Sequence, residues 1–145
     1  MSAERPVEFL RPAGLYRDAE YAYVAVAPPG RLVFSAGACP VGVDGVVVGA
    51  GDLEAQARKT VSNLFEALAA AGAGAGDILK TTVFVVTSSH DELVAVWAVV
   101  KAAFEPFDPP STLLGVSVLG YTNQLVEIEA VALVPAPSDA ASSPE

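Results

Sequence analysis

At 145 residues the chain fits one domain, and its 52% hydrophobic against 17% charged residues is more apolar than one ordinary core of this size needs, so a core rich in Ala and Val and some apolar surface covered by a partner are both expected. The net charge is −9, with eight basic residues and none beyond Lys101; this excludes the basic stripe that displaces counterions from nucleic acid and the polybasic patch that holds an anionic membrane. One cysteine, Cys39, excludes an internal disulfide, no stretch reaches an unbroken membrane span, and Met1–Phe9 lacks the apolar run of a secretion signal, so the expected location is the cytoplasm.

In chain order, 21–27 is a β-prone run, Pro28-Pro29-Gly30 a turn, and 31–37 the returning strand. Asp44-Gly45 is a hairpin signal with a short strand at Val46–Val48 beyond it. Residues 53–71 form a helix: Leu53, Ala57, Val61, Leu64 and Leu68 make one apolar stripe, Asp52 stands at the N-cap and Gly72 just past the end. Gly72-Ala73-Gly74-Ala75-Gly76 is a flexible connection and not a phosphate loop, because it follows a helix and lacks a Gly-Lys-Ser/Thr ending. Residues 80–87 are a strand. Ser89-His90-Asp91-Glu92 is a capping box opening a second helix to about Phe104, which Pro106, Pro109 and Pro110 stop. Residues 111–118 and 125–134 are the last strands. The expected organisation is one α+β domain over 1–134, with five to six strands and two helices on one face, and a polar, disordered tail over 135–145.

Period-two reading gives this sheet two apolar faces. Leu32, Phe34 and Ala36 oppose Val33 and Ser35; Val83 and Val85 oppose Phe84 and Val86. Two helices cover one face, and a second copy of the chain is the economical cover for the other. In the last strand, Val126, Ile128, Ala130 and Ala132 form an apolar face, while Glu127 and Glu129 share the other with Leu125, Val131 and Leu133. Such carboxylates are either solvated near an edge, or one lines an interface cleft as a general acid/base or water-orienting group.

Other candidates are weaker. His90, the only histidine, is an exposed first-turn residue, and one His with one Cys makes no ordinary metal site, so no metal is expected. Cys39 lacks a nearby base or cation to lower its pKa and reads as a small core or interface residue. Tyr16 either packs or closes over a site.

Several segments together resemble the YjgF/RidA family: Gly14-Leu15-Tyr16, Phe34-Ser35-Ala36-Gly37 with Pro40, Asp52 to Ala57, Lys80 to Val85, and Val126 to Ala132, in family order across residues 14–134. The resemblance implies a chorismate-mutase-like fold, a homotrimer with a small-molecule cleft at each interface, and cofactor-free hydrolysis of reactive imines or enamines. It implies Glu127 as the water-positioning carboxylate and Tyr16, Ala36, Trp97, Pro110, Ser111 and Thr112 as ligand-binding positions. It also implies an arginine just before Ser111-Thr112, where this chain has Pro109-Pro110. A guanidinium holds a carboxylate through two charge-assisted hydrogen bonds, and losing such a pair costs about 2–5 kcal/mol. Three functions follow: a hydrolase acting on imines without a carboxylate, a metabolite-binding or regulatory module, and RNA cleavage, against which the acidic balance argues.

Overall fold

A computed structural model of the chain describes residues 7–136; the tail expected at 135–145 therefore lies almost entirely outside the described residues, as do residues 1–6. Both helices form where their end signals stand. Helix α1 spans Leu53–Ala70, and the Asp52 side chain accepts the Ala55 amide at 3.0 Å. Gly72, just past its end, takes the left-handed φ of 81° that a helix-ending glycine tolerates. Helix α2 spans His90–Phe104, and the Ser89 hydroxyl accepts the Glu92 amide at 3.4 Å. The return half of the capping box takes a detour: the Ser89 amide donates to the Thr87 hydroxyl at 2.9 Å, and Thr87 in turn donates to Glu92.

Four strands form the main sheet: β3 (Gly30–Phe34), β4 (Ile78–Val86), β5 (Ser111–Val116) and β6 (Val126–Pro135), in the order β3-β6-β4-β5. Strand β6 is antiparallel to β3 and β4, and β4 runs parallel to β5 with α2 as the crossover. Two further strands, β1 (Glu8–Leu10) and β2 (Val24–Val26), pair as a separate ribbon. The total of six strands and two helices is the expected α+β architecture.

The pairing differs from the sequence expectation in two places. The runs at 21–27 and 31–37 do not form a hairpin with each other. Pro28 and Pro29 leave two turn positions without amide donors, and β3 instead pairs over its whole length with β6. Beyond Asp44-Gly45 the turn forms, with Gly45 at a φ of 79°, but Val46–Val48 contributes only a bridge from Val47 to Val41. Among the described residues no helix is long and apolar enough to cross a membrane.

The core lies between the helices and one sheet face. Ala57, Val61, Leu64 and Leu68 of α1 and Val96, Val100 and Phe104 of α2 pack on Val83, Val85, Val126, Ile128, Ala130 and Ala132. The second face carries Leu32, Phe34, Thr82, Phe84, Thr112, Leu114, Glu127, Glu129 and Val131, set side by side by the strand registers. Leu32, Phe34 and Leu114 remain 56%, 71% and 42% exposed. This face, which also carries Lys80, mixes exposed apolar side chains with polar ones and is uncovered in the single chain.

Among the described residues, one buried side-chain group lacks a hydrogen-bond partner. The Thr60 hydroxyl of α1 is fully buried without a hydrogen-bond partner. A stranded hydroxyl costs about 1–3 kcal/mol, and valine has nearly the same shape. Thr60→Val is expected to raise the stability to urea by about 1 kcal/mol; a lower unfolding midpoint would contradict this.

Candidate functional site

The site begins with an irregularity in the sheet. Ser35 pairs with Ala130 through its amide (3.0 Å) and its hydroxyl (2.9 Å), and Ala38 pairs with Ile128 in both directions at 2.7 and 3.1 Å. Ala36 and Gly37 therefore face Glu129 alone, which is a β-bulge. The expected strand over 31–37 accordingly ends at Phe34, and Ala36 is exposed.

Gly37 lies directly beneath the Glu127 side chain. A methyl at residue 37 would come within 2.6 Å of the carboxyl carbon, a distance real side chains do not tolerate. The absence of a side chain at Gly37 is thus what lets the half-buried Glu127 lie over the backbone. Cys39 follows the bulge, with its Sγ 3.3 Å from Glu127 Oε1 and 3.4 Å from the Gly37 carbonyl. Burial, reinforced by the adjacent carboxylate, pushes the Cys39 thiol up to about 11. The thiol is protonated at neutral pH, so it donates to Glu127 and is no nucleophile.

Two amide side chains of α1 hold these surroundings. Asn63 Nδ2 donates to the carbonyls of Cys39 (2.7 Å) and Val41 (2.9 Å). The buried Gln56 donates to Gly49 and Asn123 and accepts the Leu125 amide at 2.7 Å. The bulge and the start of β6 are thereby fixed to the same helix.

Trp97, Ser111 and Thr112 gather elsewhere. With Tyr21 and Leu113 they line a cleft of about 440 Å³ beside the edge strand β5. Pro110, buried, precedes this strand. The Trp97 indole donates to Glu20 at 2.8 Å, and Lys101, one turn along α2, binds the other Glu20 oxygen at 3.3 Å. Lys101 and Trp97 hold the Glu20 carboxyl below its ordinary pKa. Tyr21 meets Trp97 edge to face at 6.4 Å and Tyr23 at 5.6 Å. The Tyr23 hydroxyl donates to the Tyr16 carbonyl at 3.0 Å, which ties Tyr16, itself 70% exposed, to this aromatic group.

The predicted site residues thus fall into two groups. Leu114 stands two strands across from Glu127, through Phe84, and Ser111 is three positions along β5 from it. At ordinary strand spacing the backbones of Ser111 and Glu127 are roughly 14 Å apart. Sequence reasoning missed Gly37 and Cys39 as neighbours of Glu127. A glycine inside a strand pattern was the available signal, since it marks a bulge or a close approach. Lys80 shares the open face and donates to the Thr112 hydroxyl at 2.6 Å. It pairs with Val131, four positions from Glu127 along β6, roughly 13 Å away at the rise of a strand.

A family model described as endoribonuclease L-PSP matches residues 15–134. The chain belongs to the YjgF/Rid family. Among solved structures, the Rid protein YyfB from Yersinia pestis, of unknown function, is 30% identical with a TM-score of 0.84, covering 90% of this chain and all of that one. YjgF from Escherichia coli is 32% identical with a TM-score of 0.63, covering 79% and 94%. Escherichia coli TdcF, solved with bound serine, is 28% identical with a TM-score of 0.63, covering 81% and 96%. No curated protein matches the chain.

Proposed function

We propose that this Rid-family chain assembles as a homotrimer and hydrolyses small imines or enamines that lack a carboxylate, using Glu127 and no cofactor. The observation that carries the reading is the seat of Glu127: a half-buried carboxylate over Gly37, on the uncovered sheet face, with a neutral thiol as its neighbour. None of the ion pairs among the described residues engages Glu127, which leaves its carboxylate oxygens to accept from a water molecule. Water adds to the imine carbon as Glu127 takes its proton and passes it to the nitrogen, and the hydroxyl proton of the adduct then moves by the same carboxylate to the amine. Collapse of the adduct breaks the carbon–nitrogen bond and releases ammonia and a carbonyl compound. An enamine enters the same path after protonation on carbon.

The division of the site supports assembly. Glu127 lies on the uncovered face, and the Trp97–Ser111–Thr112 cleft lies at the β5 edge. Packing that face against the edge of a second subunit would unite them in one interface cleft, and would cover Leu32, Phe34 and Leu114. The bound serine of TdcF makes an amino-acid-sized ligand the natural comparison, but Pro110 stands where a carboxylate-clamping arginine would be needed, and Lys80 is engaged with Thr112. RNA cleavage, suggested by the family description, is disfavoured by 17 acidic against eight basic residues.

The test is ammonia release from a panel of imines of equal size with and without a carboxylate. Saturable turnover with at least tenfold preference for the carboxylate-free members is expected. Absence of turnover on every member would overturn the reading. The aromatic pair Tyr21 and Trp97 in the cleft favours a second reading, a metabolite-binding module, whose signature is a saturable thermal shift without turnover.

A further inference from the structure

We infer that Cys39 is a positioning residue for Glu127: its S–H donates to Oε1, fixes the carboxylate plane, and leaves Oε2 to orient the attacking water. The inference rests on the proposed hydrolysis, and it concerns a residue whose pattern reads only as packing.

Three features of the geometry carry it. Gly37 lets the Glu127 side chain lie flat on the backbone, but a glycine offers no group to stop the carboxylate from turning. Cys39 supplies a donor 3.3 Å from Oε1. The residue is held in place, because the Cys39 carbonyl accepts from Asn63 of α1 at 2.7 Å; the Gly37 carbonyl, 3.4 Å from Sγ, competes for the one S–H proton, and the charged carboxylate is the stronger acceptor. The choice of a thiol also has chemical sense. A cationic donor at this point would form an ion pair with the carboxylate, whereas a neutral S–H is a weak donor that orients the group without adding a charge. Burial, with the same carboxylate beside it, keeps the thiol protonated and so able to donate.

The test compares wild type, Cys39→Ala and Cys39→Ser by infrared spectroscopy and kinetics. The carboxylate stretching band of Glu127 is isolated by subtracting the spectrum of Glu127→Gln. The band is expected to shift in Cys39→Ala and to return towards the wild-type position in Cys39→Ser, which restores a neutral donor. On the carboxylate-free imine, Cys39→Ala is expected to lower kcat about five- to tenfold with KM within twofold, and Cys39→Ser to recover most of the loss. An unshifted band in Cys39→Ala overturns the inference whatever the activity. A shifted band with an unchanged kcat overturns it as well. If wild type turns over no imine, the hydrolase reading fails, and the band alone then decides whether Cys39 orients Glu127.

Discussion

Glu127→Gln is expected to lower kcat/KM for imine hydrolysis by roughly a hundredfold or more, the usual contribution of a positioned general base. Glutamine preserves the length and volume of the side chain, so it still fits over Gly37 and still offers an oxygen to the Cys39 thiol. It removes only the capacity to take a proton from water. Chain folding and assembly should therefore be unchanged in a melting curve and in sedimentation. Glu129→Gln is the matched control, because Glu129 lies on the same strand face two residues away but is exposed; its rate should stay within twofold of wild type. The measurement is the initial rate of ammonia release over a substrate series. Equal rates for wild type and Glu127→Gln would remove Glu127 from the chemistry.

What the sequence disclosed, and what it did not, follows from the range of the interactions. The helices were legible because their signals are local: the apolar stripe from Leu53 to Leu68, the Asp52 and Ser89 caps and the Gly72 terminator all act within a turn or two of their own position. The two faces of the sheet were legible because the strand period is two whatever the partner strand. Pairing was not, since it depends on which distant segment offers free backbone groups. The run at Val24–Val26 pairs with Glu8–Leu10, a segment with no strong strand signature of its own. The bulge at Ala36-Gly37 was also hidden. It arises where Ser35 uses both its amide and its hydroxyl on Ala130, so the next pairing slips to Ala38. That slip sets Cys39 against Glu127 across 88 positions of sequence, a contact no spacing rule could supply. Glu127 was identified by resemblance and by its place among apolar neighbours, and Trp97, Ser111 and Thr112 do meet in one cleft. The distance between that cleft and Glu127 is a property of the sheet order, and it became visible only with the strands in place.

Phe34→Asp is expected to abolish assembly and, with it, turnover. Phe34 is 71% exposed on the uncovered face and stands opposite Val131 in the strand register. Burying a phenylalanine contributes about 1.5–3 kcal/mol, and a trimer would gain this at each of its interfaces. An aspartate in the same place would have to lose its hydration, at an effective cost of several kcal/mol per ion; Glu129 and Lys80 line the same pocket with opposite charges, and Lys80 is already engaged with Thr112. The change should convert the proposed trimer to monomer at micromolar concentration by sedimentation, while the helical circular dichroism survives, because the core lies on the other side of the sheet. Val94→Asp on the exposed side of α2 is the control for added charge, with assembly unchanged, since Val94 is 64% exposed and away from this face. Loss of turnover in a folded Phe34→Asp monomer that retains Glu127, Trp97 and Ser111 would mean that the two halves of the site work only when they come from different subunits. A Phe34→Asp protein that stays trimeric would remove this face from the interface, and an active monomer would require Glu127 to act without the β5 cleft of a neighbour.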